Sequence, residues 1–125
     1  MKVLLDTDVV IEILRTRNPG ILDSWNELAS NAADVLISPI TSAEVWAGAW
    51  PQERTTTEEF LLSMTCVPID YEIAQIAGSF LRQFSKSHGL KIGDALIAAS
   101  AIQHKAALWT RNRKHYPMPQ LTLFS

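Results

Sequence analysis

A single cysteine, Cys66, stands in a chain of 125 residues. It has no internal partner, which excludes a disulfide framework, and no Cys/His spacing resembles a structural zinc site. Long apolar runs are missing too. The stretch Val3-Leu4-Leu5 meets Asp6 at once, too short for a signal peptide or a membrane span. Repeats, low-complexity tracts and linkers are absent, so residues 1–125 read as one domain. Charged residues make up 19% and hydrophobic residues 47%, values that exclude a disordered or fibrous chain. A domain of this size buries roughly two thirds of its unfolded surface, enough for a core without metal or disulfide staples. The expectation is a soluble cytoplasmic protein that does not engage membranes.

Excess positive charge is also lacking. The net charge is −2, which by itself argues against a nucleic-acid binder. The distribution says otherwise: residues 73–125 sum to +6 and residues 1–72 to −8. Such polarity can set a basic surface beside an acidic cluster, although a solvated helix face gives the same count.

Along the chain, Lys2 to Leu5 reads as a strand that ends in Asp6-Thr7-Asp8, residue types that leave strands and cap helices. A helix over Val9 to Arg15 follows, then the break Asn18-Pro19-Gly20 and a helix over Ile21 to Ala29. Asp34 to Ser38 reads as a second strand closed by Pro39. Thr41-Ser42-Ala43-Glu44 has capping-box spacing and starts a helix to about Trp50, stopped by Pro51. Thr55-Thr56-Thr57-Glu58 repeats that start signal. Cys66 to Ile69 reads as a third strand. Asp70 caps a long amphipathic helix, Tyr71 to His88, ended by Gly89. The run from Asp94 to Ile102 is apolar nearly all round and reads as a buried helix. Ala107 to Thr110 supplies a fourth strand and Gln120 to Phe124 a fifth. Strands alternating with helices predict an α/β fold, a parallel sheet covered on both faces.

In such a sheet, ligands bind beyond the carboxyl ends of the strands. Asp6 falls at that edge, and Glu44 and Asp94 fall in the first turns of helices that begin along it. Asp8 lies close in sequence. Each acid also has an ordinary explanation as a helix cap or a dipole partner. Jointly placed, they repel one another unless a cation compensates, and hard oxygen ligands suit Mg²⁺ or Mn²⁺. Such an ion supports phosphodiester hydrolysis. The segment Thr110-Arg111-Asn112-Arg113-Lys114-His115 leaves the fourth strand at the same edge. There Asn112 can orient a water, and Arg111, Arg113 and Lys114 can hold a phosphate backbone. Arg113 and Lys114 read equally well as exposed turn charges, and His115 as a satisfied turn histidine. Trp46 and Trp50, four apart on the helix carrying Glu44, suit base stacking or, more simply, packing. Trp25 and Trp109 read as core.

Val3-Leu4-Leu5-Asp6-Thr7-Asp8-Val9-Val10-Ile11, Ser38-Pro39-Ile40-Thr41-Ser42-Ala43-Glu44, Ile92-Gly93-Asp94-Ala95-Leu96-Ile97-Ala98-Ala99 and Leu108-Trp109-Thr110-Arg111-Asn112 together resemble PIN-domain proteins, and most of all the VapC toxins of bacterial toxin–antitoxin pairs. The resemblance implies a Rossmann-like α/β/α sandwich with about five parallel strands in the order 3-2-1-4-5. It implies a Mg²⁺-dependent endoribonuclease, with Mn²⁺ able to substitute, acting on single-stranded or structured RNA such as tRNA. It implies metal-binding Asp6 and Asp94 with Glu44 as the third acid, a homodimer, and silencing by a cognate VapB-type antitoxin. That partner is expected on the apolar helices after residues 7 and 42. Two positions depart from the family pattern: Asp8 stands where Asn is common, and His115 where many members carry an aspartate. The second departure puts a second metal ion in doubt.

Other readings fit parts of the chain. Asp6-Thr7-Asp8-Val9-Val10 matches the Asp-x-Asp-x-Val element of haloacid-dehalogenase-type phosphatases, with Asp6 as nucleophile. A receiver-like signalling domain would use Asp70 as phosphoryl acceptor. A degenerate PIN domain that only binds is the reading His115 leaves open.

Overall fold

The computed structural model describes residues 1–31 and 33–124. Four strands, β1 (Lys2–Leu5), β2 (Asp34–Ile37), β3 (Thr65–Cys66) and β4 (Ala107–Trp109), form one sheet in the order β3-β2-β1-β4. Every pairing is parallel, with Leu4 opposite Leu36 on one side and Leu108 on the other. Among the described residues, six helices connect and cover the strands: α1 (Thr7–Arg15), α2 (Pro19–Ser30), α3 (Pro39–Gly48), α4 (Arg54–Leu62), α5 (Tyr71–His88) and α6 (Ile92–Gln103).

The period-2 alternation of β1 sorts the core into two halves. Leu4 packs with Ile73, Phe80 and Ile97 of α5 and α6, whereas Val3 and Leu5 pack with Val9, Leu28 and Leu61 of α1, α2 and α4. All three strand residues are fully buried. The sheet is therefore covered on both faces, as the α/β reading predicts.

The expected fifth strand shrinks to one bridge. Leu123 pairs in parallel with Leu108, and Leu108 and Phe124 exchange 2.8 Å backbone bonds with Thr122 and Leu108. Pro117 and Pro119 just upstream lack the N–H groups a longer ladder needs. The third strand is also shorter than expected, two residues at Thr65–Cys66.

Helix starts differ in two places. α3 begins at Pro39 rather than Thr41, because the Ser38 hydroxyl caps the Ile40 N–H at 3.1 Å and proline is pre-set for the first helical position. Glu44 consequently lies in the second turn, not the first. The same helix ends at Gly48, so Trp50 is off it, extended (φ −78°, ψ 152°) and exposed ahead of Pro51. Trp46 and Trp50 do not share a helical face. α4 begins at Arg54, after a short 3₁₀ turn at Pro51–Glu53. Trp25 is only partly buried, edge-on to Phe60, while Trp109 is core. No helix among the described residues is long and apolar enough to cross a membrane.

Candidate active site

Asp6 is the first residue beyond β1 and the N-cap of α1. Its backbone N–H still belongs to the sheet, bonding the Trp109 carbonyl at 2.9 Å. Its carboxylate is buried and takes three hydrogen bonds. Oδ1 accepts the Thr7 N–H at 2.8 Å, and Oδ2 accepts the hydroxyls of Thr110 at 2.8 Å and Tyr116 at 2.9 Å. Three donors on one carboxylate hold its orientation without any ligand.

Asp94 reaches the same place from the first turn of α6. Its Oδ1 lies 3.4 Å from the Tyr116 hydroxyl, so a single phenol oxygen touches both aspartates. Burial pushes the Asp94 carboxyl above its ordinary value. The charges of Asp6 and, less strongly, Glu44 add to that, against opposing pulls from His115 and the Tyr116 bond. Tyr116 itself is buried, and desolvation followed by the Asp6 and Asp94 charges pushes its phenol well above the usual range. It therefore stays a neutral donor.

Glu44 approaches from the solvent side. Its Oε1 accepts the Thr7 hydroxyl at 2.6 Å, and the Thr7 and Thr41 hydroxyls lie 3.1 Å apart. This chain of hydroxyls ties α3 to the start of α1. Among the described residues, no three His, Cys, Asp or Glu side chains stand as a preassembled metal cage. Asp6 and Asp94 are the pair that stand together, and Glu44 is an exposed side chain at the rim.

Asp8 is not the cap of α1. Its Oδ2 accepts the Arg111 N–H at 3.1 Å, which fastens the loop after β4 to α1. Its Oδ1 is buried and has no hydrogen-bond partner among the described residues. Desolvation first, then the Asp6 charge, pushes this carboxyl up to about 6. An orphaned carboxylate oxygen on Asp8, near the charge of Asp6, and the carboxylates of Asp6 and Asp94 together offer oxygen donors of the kind that suit a hard divalent cation such as Mg²⁺ or Mn²⁺.

The loop after β4 distributes its groups unevenly. The Thr110 hydroxyl accepts the Asn112 N–H at 2.9 Å, which directs its own proton to Asp6. The Asn112 side chain is exposed. Arg111 turns away from the acids of the edge to pair with Glu12 at 3.2 Å, a carboxylate that also holds Arg17 at 2.7 Å. Arg113 reaches the Phe124 carbonyl at 3.3 Å. Lys114 is exposed. His115 Nδ1 is 3.9 Å from Asp94 Oδ2, too far for a hydrogen bond.

Sequence reasoning singled out Asp6, Asp94 and Thr110 but missed Tyr116 and Glu12. Glu12 had a local signal, an acid one helical turn after Asp8 amid apolar residues and close to Arg15 and Arg17. Tyr116 had none, since both its carboxylate partners are remote in sequence. Two rival readings lose their footing here. α1 begins at Thr7, directly after Asp6, without the inserted hairpin of the phosphatase element. Asp70 is an exposed cap that accepts the Ile73 N–H at 2.9 Å.

The edge site opens into a groove of about 90 Å³ between α1, α3 and α4, lined by Ile11, Leu14, Glu44, Val45, Trp50 and Thr57 among others. Larger hollows, about 310 and 460 Å³, lie near Met1 at the amino-terminal ends of the strands, away from the acids.

Comparison with known proteins agrees with this geometry. The PIN domain family matches residues 3–120. Ribonuclease VapC19 of Mycobacterium tuberculosis is 33% identical over 116 residues, covering 92% of each chain. Among solved structures, VapBC2 from Rickettsia felis, bound to a promoter DNA fragment, superposes with a TM-score of 0.80 at 26% identity, covering 99% of this chain and 98% of that one. A toxin–antitoxin complex from Klebsiella pneumoniae superposes at 0.77 with 25% identity, covering 96% and 95%. With the family pattern spanning nearly the whole chain and the aspartates meeting at the expected sheet edge, the chain belongs to the PIN-domain family, in its VapC ribonuclease type.

Proposed function

We propose that this chain is a Mg²⁺-dependent endoribonuclease toxin of the cytoplasm, cutting single-stranded or structured RNA such as tRNA and silenced by a VapB-type antitoxin. The observation that carries the reading is the meeting of Asp6 and Asp94 at one phenol oxygen, at the carboxyl edge of the sheet. Asp6 and Asp94 would hold the ion, with Glu44 joining from the rim. When bound, Mg²⁺ or Mn²⁺ lowers the pKa of a water and polarises the scissile phosphodiester.

The protein's own groups do the rest. Thr7, Thr110 and Tyr116 fix the Asp6 carboxylate before any substrate arrives. Lys114 and Arg113 flank the edge with positive charge suited to phosphates, and Asn112 offers an exposed amide for a water or a base. Water adds to phosphorus and the P–O3′ bond breaks, leaving 5′-phosphate and 3′-hydroxyl ends.

The antitoxin reading is supported by the groove between α1 and α3, which runs from apolar Ile11 and Val45 to Glu44. An apolar segment bearing one basic residue fits that lining. Structures similar to this chain include VapBC2 from Rickettsia felis and a toxin–antitoxin complex from Klebsiella pneumoniae. The homodimer remains part of the proposal, to be read by light scattering of the purified chain.

The test is RNA cleavage by purified protein with Mg²⁺, with chelator, and in Asp94→Asn. Loss of cleavage in both latter cases supports the reading. Cleavage by folded Asp94→Asn at the wild-type rate overturns it.

A further inference from the structure

A carboxylate has about four lone-pair positions, two on each oxygen. On Asp6, the hydroxyls of Thr110 and Tyr116 fill both positions of Oδ2, at 2.8 and 2.9 Å. Oδ1 accepts only the Thr7 N–H and keeps one position free. Asp6 can thus offer a cation one oxygen. The second oxygen is closed by groups from two separate segments, the end of β4 and the turn after it.

Of those two donors, Tyr116 has the wider reach. Its phenol carries one proton, which the shorter contact to Asp6 claims. Its oxygen also rests 3.4 Å from Asp94 Oδ1. The ring is buried, 4% exposed, within the α5–α6 half of the core. A rigid side chain anchored there spaces the two carboxylates as well as closing one oxygen.

We infer that Tyr116 is a positioning residue that makes Asp6 a one-oxygen ligand and so selects a small octahedral cation over Ca²⁺. The inference rests on the reading that Asp6 and Asp94 hold a divalent ion. Mg²⁺ demands near-ideal six-fold geometry at short distances, whereas Ca²⁺ takes six to eight oxygens and readily accepts both oxygens of one carboxylate. Closing Oδ2 removes the two-oxygen option and leaves the geometry that suits Mg²⁺. Residues that orient metal-binding side chains from behind commonly change affinity by about 10- to 100-fold when removed.

Calorimetric titration of Mg²⁺ and of Ca²⁺ into wild type and Tyr116→Phe tests this without any cleavage assay. The expected result is about a 10-fold loss of Mg²⁺ affinity with Ca²⁺ affinity unchanged, so that the Ca²⁺/Mg²⁺ affinity ratio rises about 10-fold. Thr110→Val opens the same oxygen from the other donor and must shift the ratio in the same direction, which keeps the test decisive if Tyr116→Phe folds poorly. Equal weakening for both ions, or no change, overturns the selectivity role while the metal site stands. A folded wild type that binds neither ion overturns the metal reading and this inference together.

Discussion

Thr110 donates its hydroxyl to Asp6 Oδ2 at 2.8 Å across a separation of 104 residues. That bond closes the sheet edge, because β1 and β4 are neighbours and each delivers one partner at its carboxyl end. Thr110→Val keeps the shape and removes the donor. It also leaves the Asn112 N–H without its acceptor. The expected cost is about 1–3 kcal/mol, the usual penalty for stranding buried polar groups, read as a lower urea midpoint with an unchanged slope.

Asp8 makes the opposite contribution. Its carboxyl is pushed up to about 6 from an ordinary value of 3.8. Between those values the folded protein binds a proton that the unfolded chain has released, so metal-free stability falls as pH rises through that window. Asp94 is shifted in the same direction. Asp8→Asn should therefore stabilise the metal-free protein at pH 7, by about 1 kcal/mol after allowing for solvent screening, and the gain should vanish near pH 4. Thermal melts across that range check it.

Glu12 has the reverse sign. Its hydrogen bond to Arg17, aided by Arg111, holds its carboxyl below the usual range. That stability is present above the unfolded value and is lost as pH falls through the folded one. Glu12→Gln should lower the melting temperature at pH 7 and converge with wild type in acid. Because the same carboxylate restrains Arg111, amide exchange in the 110–114 loop should quicken in this variant.

Gly89 ends α5 with φ +63°. Nothing crowds a Cβ there, so Gly89→Ala should cost only the left-handed backbone penalty, about 1 kcal/mol, with RNA cleavage intact.

What was legible in the sequence was what local chemistry determines. α5 runs from the Asp70 cap to Gly89 as expected, because one carboxylate and one left-handed glycine specify both ends. β1 and its exit into Asp6 were equally plain. α3 starts ahead of its Thr41 signal because two start signals overlap. Ser38-Pro39 sits at the strand's end and acts first, which moves Glu44 to the second turn. Trp50 lies off the helix the sequence suggests, because Pro51 forces the residue before it out of helical backbone. Within the site, the sheet edge toward which Asp6, Glu44 and Asp94 gather could be placed from strand and helix polarity alone. Tyr116 could not, since its bonds to Asp6 and Asp94 span 110 and 22 residues and depend on how the last turn folds back. Asp8 and Arg111 stand out in the sequence as candidates at this edge, but their partners are set by the packing of that turn against α1.

The most direct test is to locate the ion. Crystals soaked in Mn²⁺ and measured for anomalous scattering should show one peak at the carboxyl edge of the sheet, bound by oxygens of Asp6 and Asp94 at about 2.2 Å, and Asp6→Asn crystals should lose it. Ordered Asp6 and Asp94 side chains with no peak between them, at Mn²⁺ concentrations that support RNA cleavage, would contradict the account.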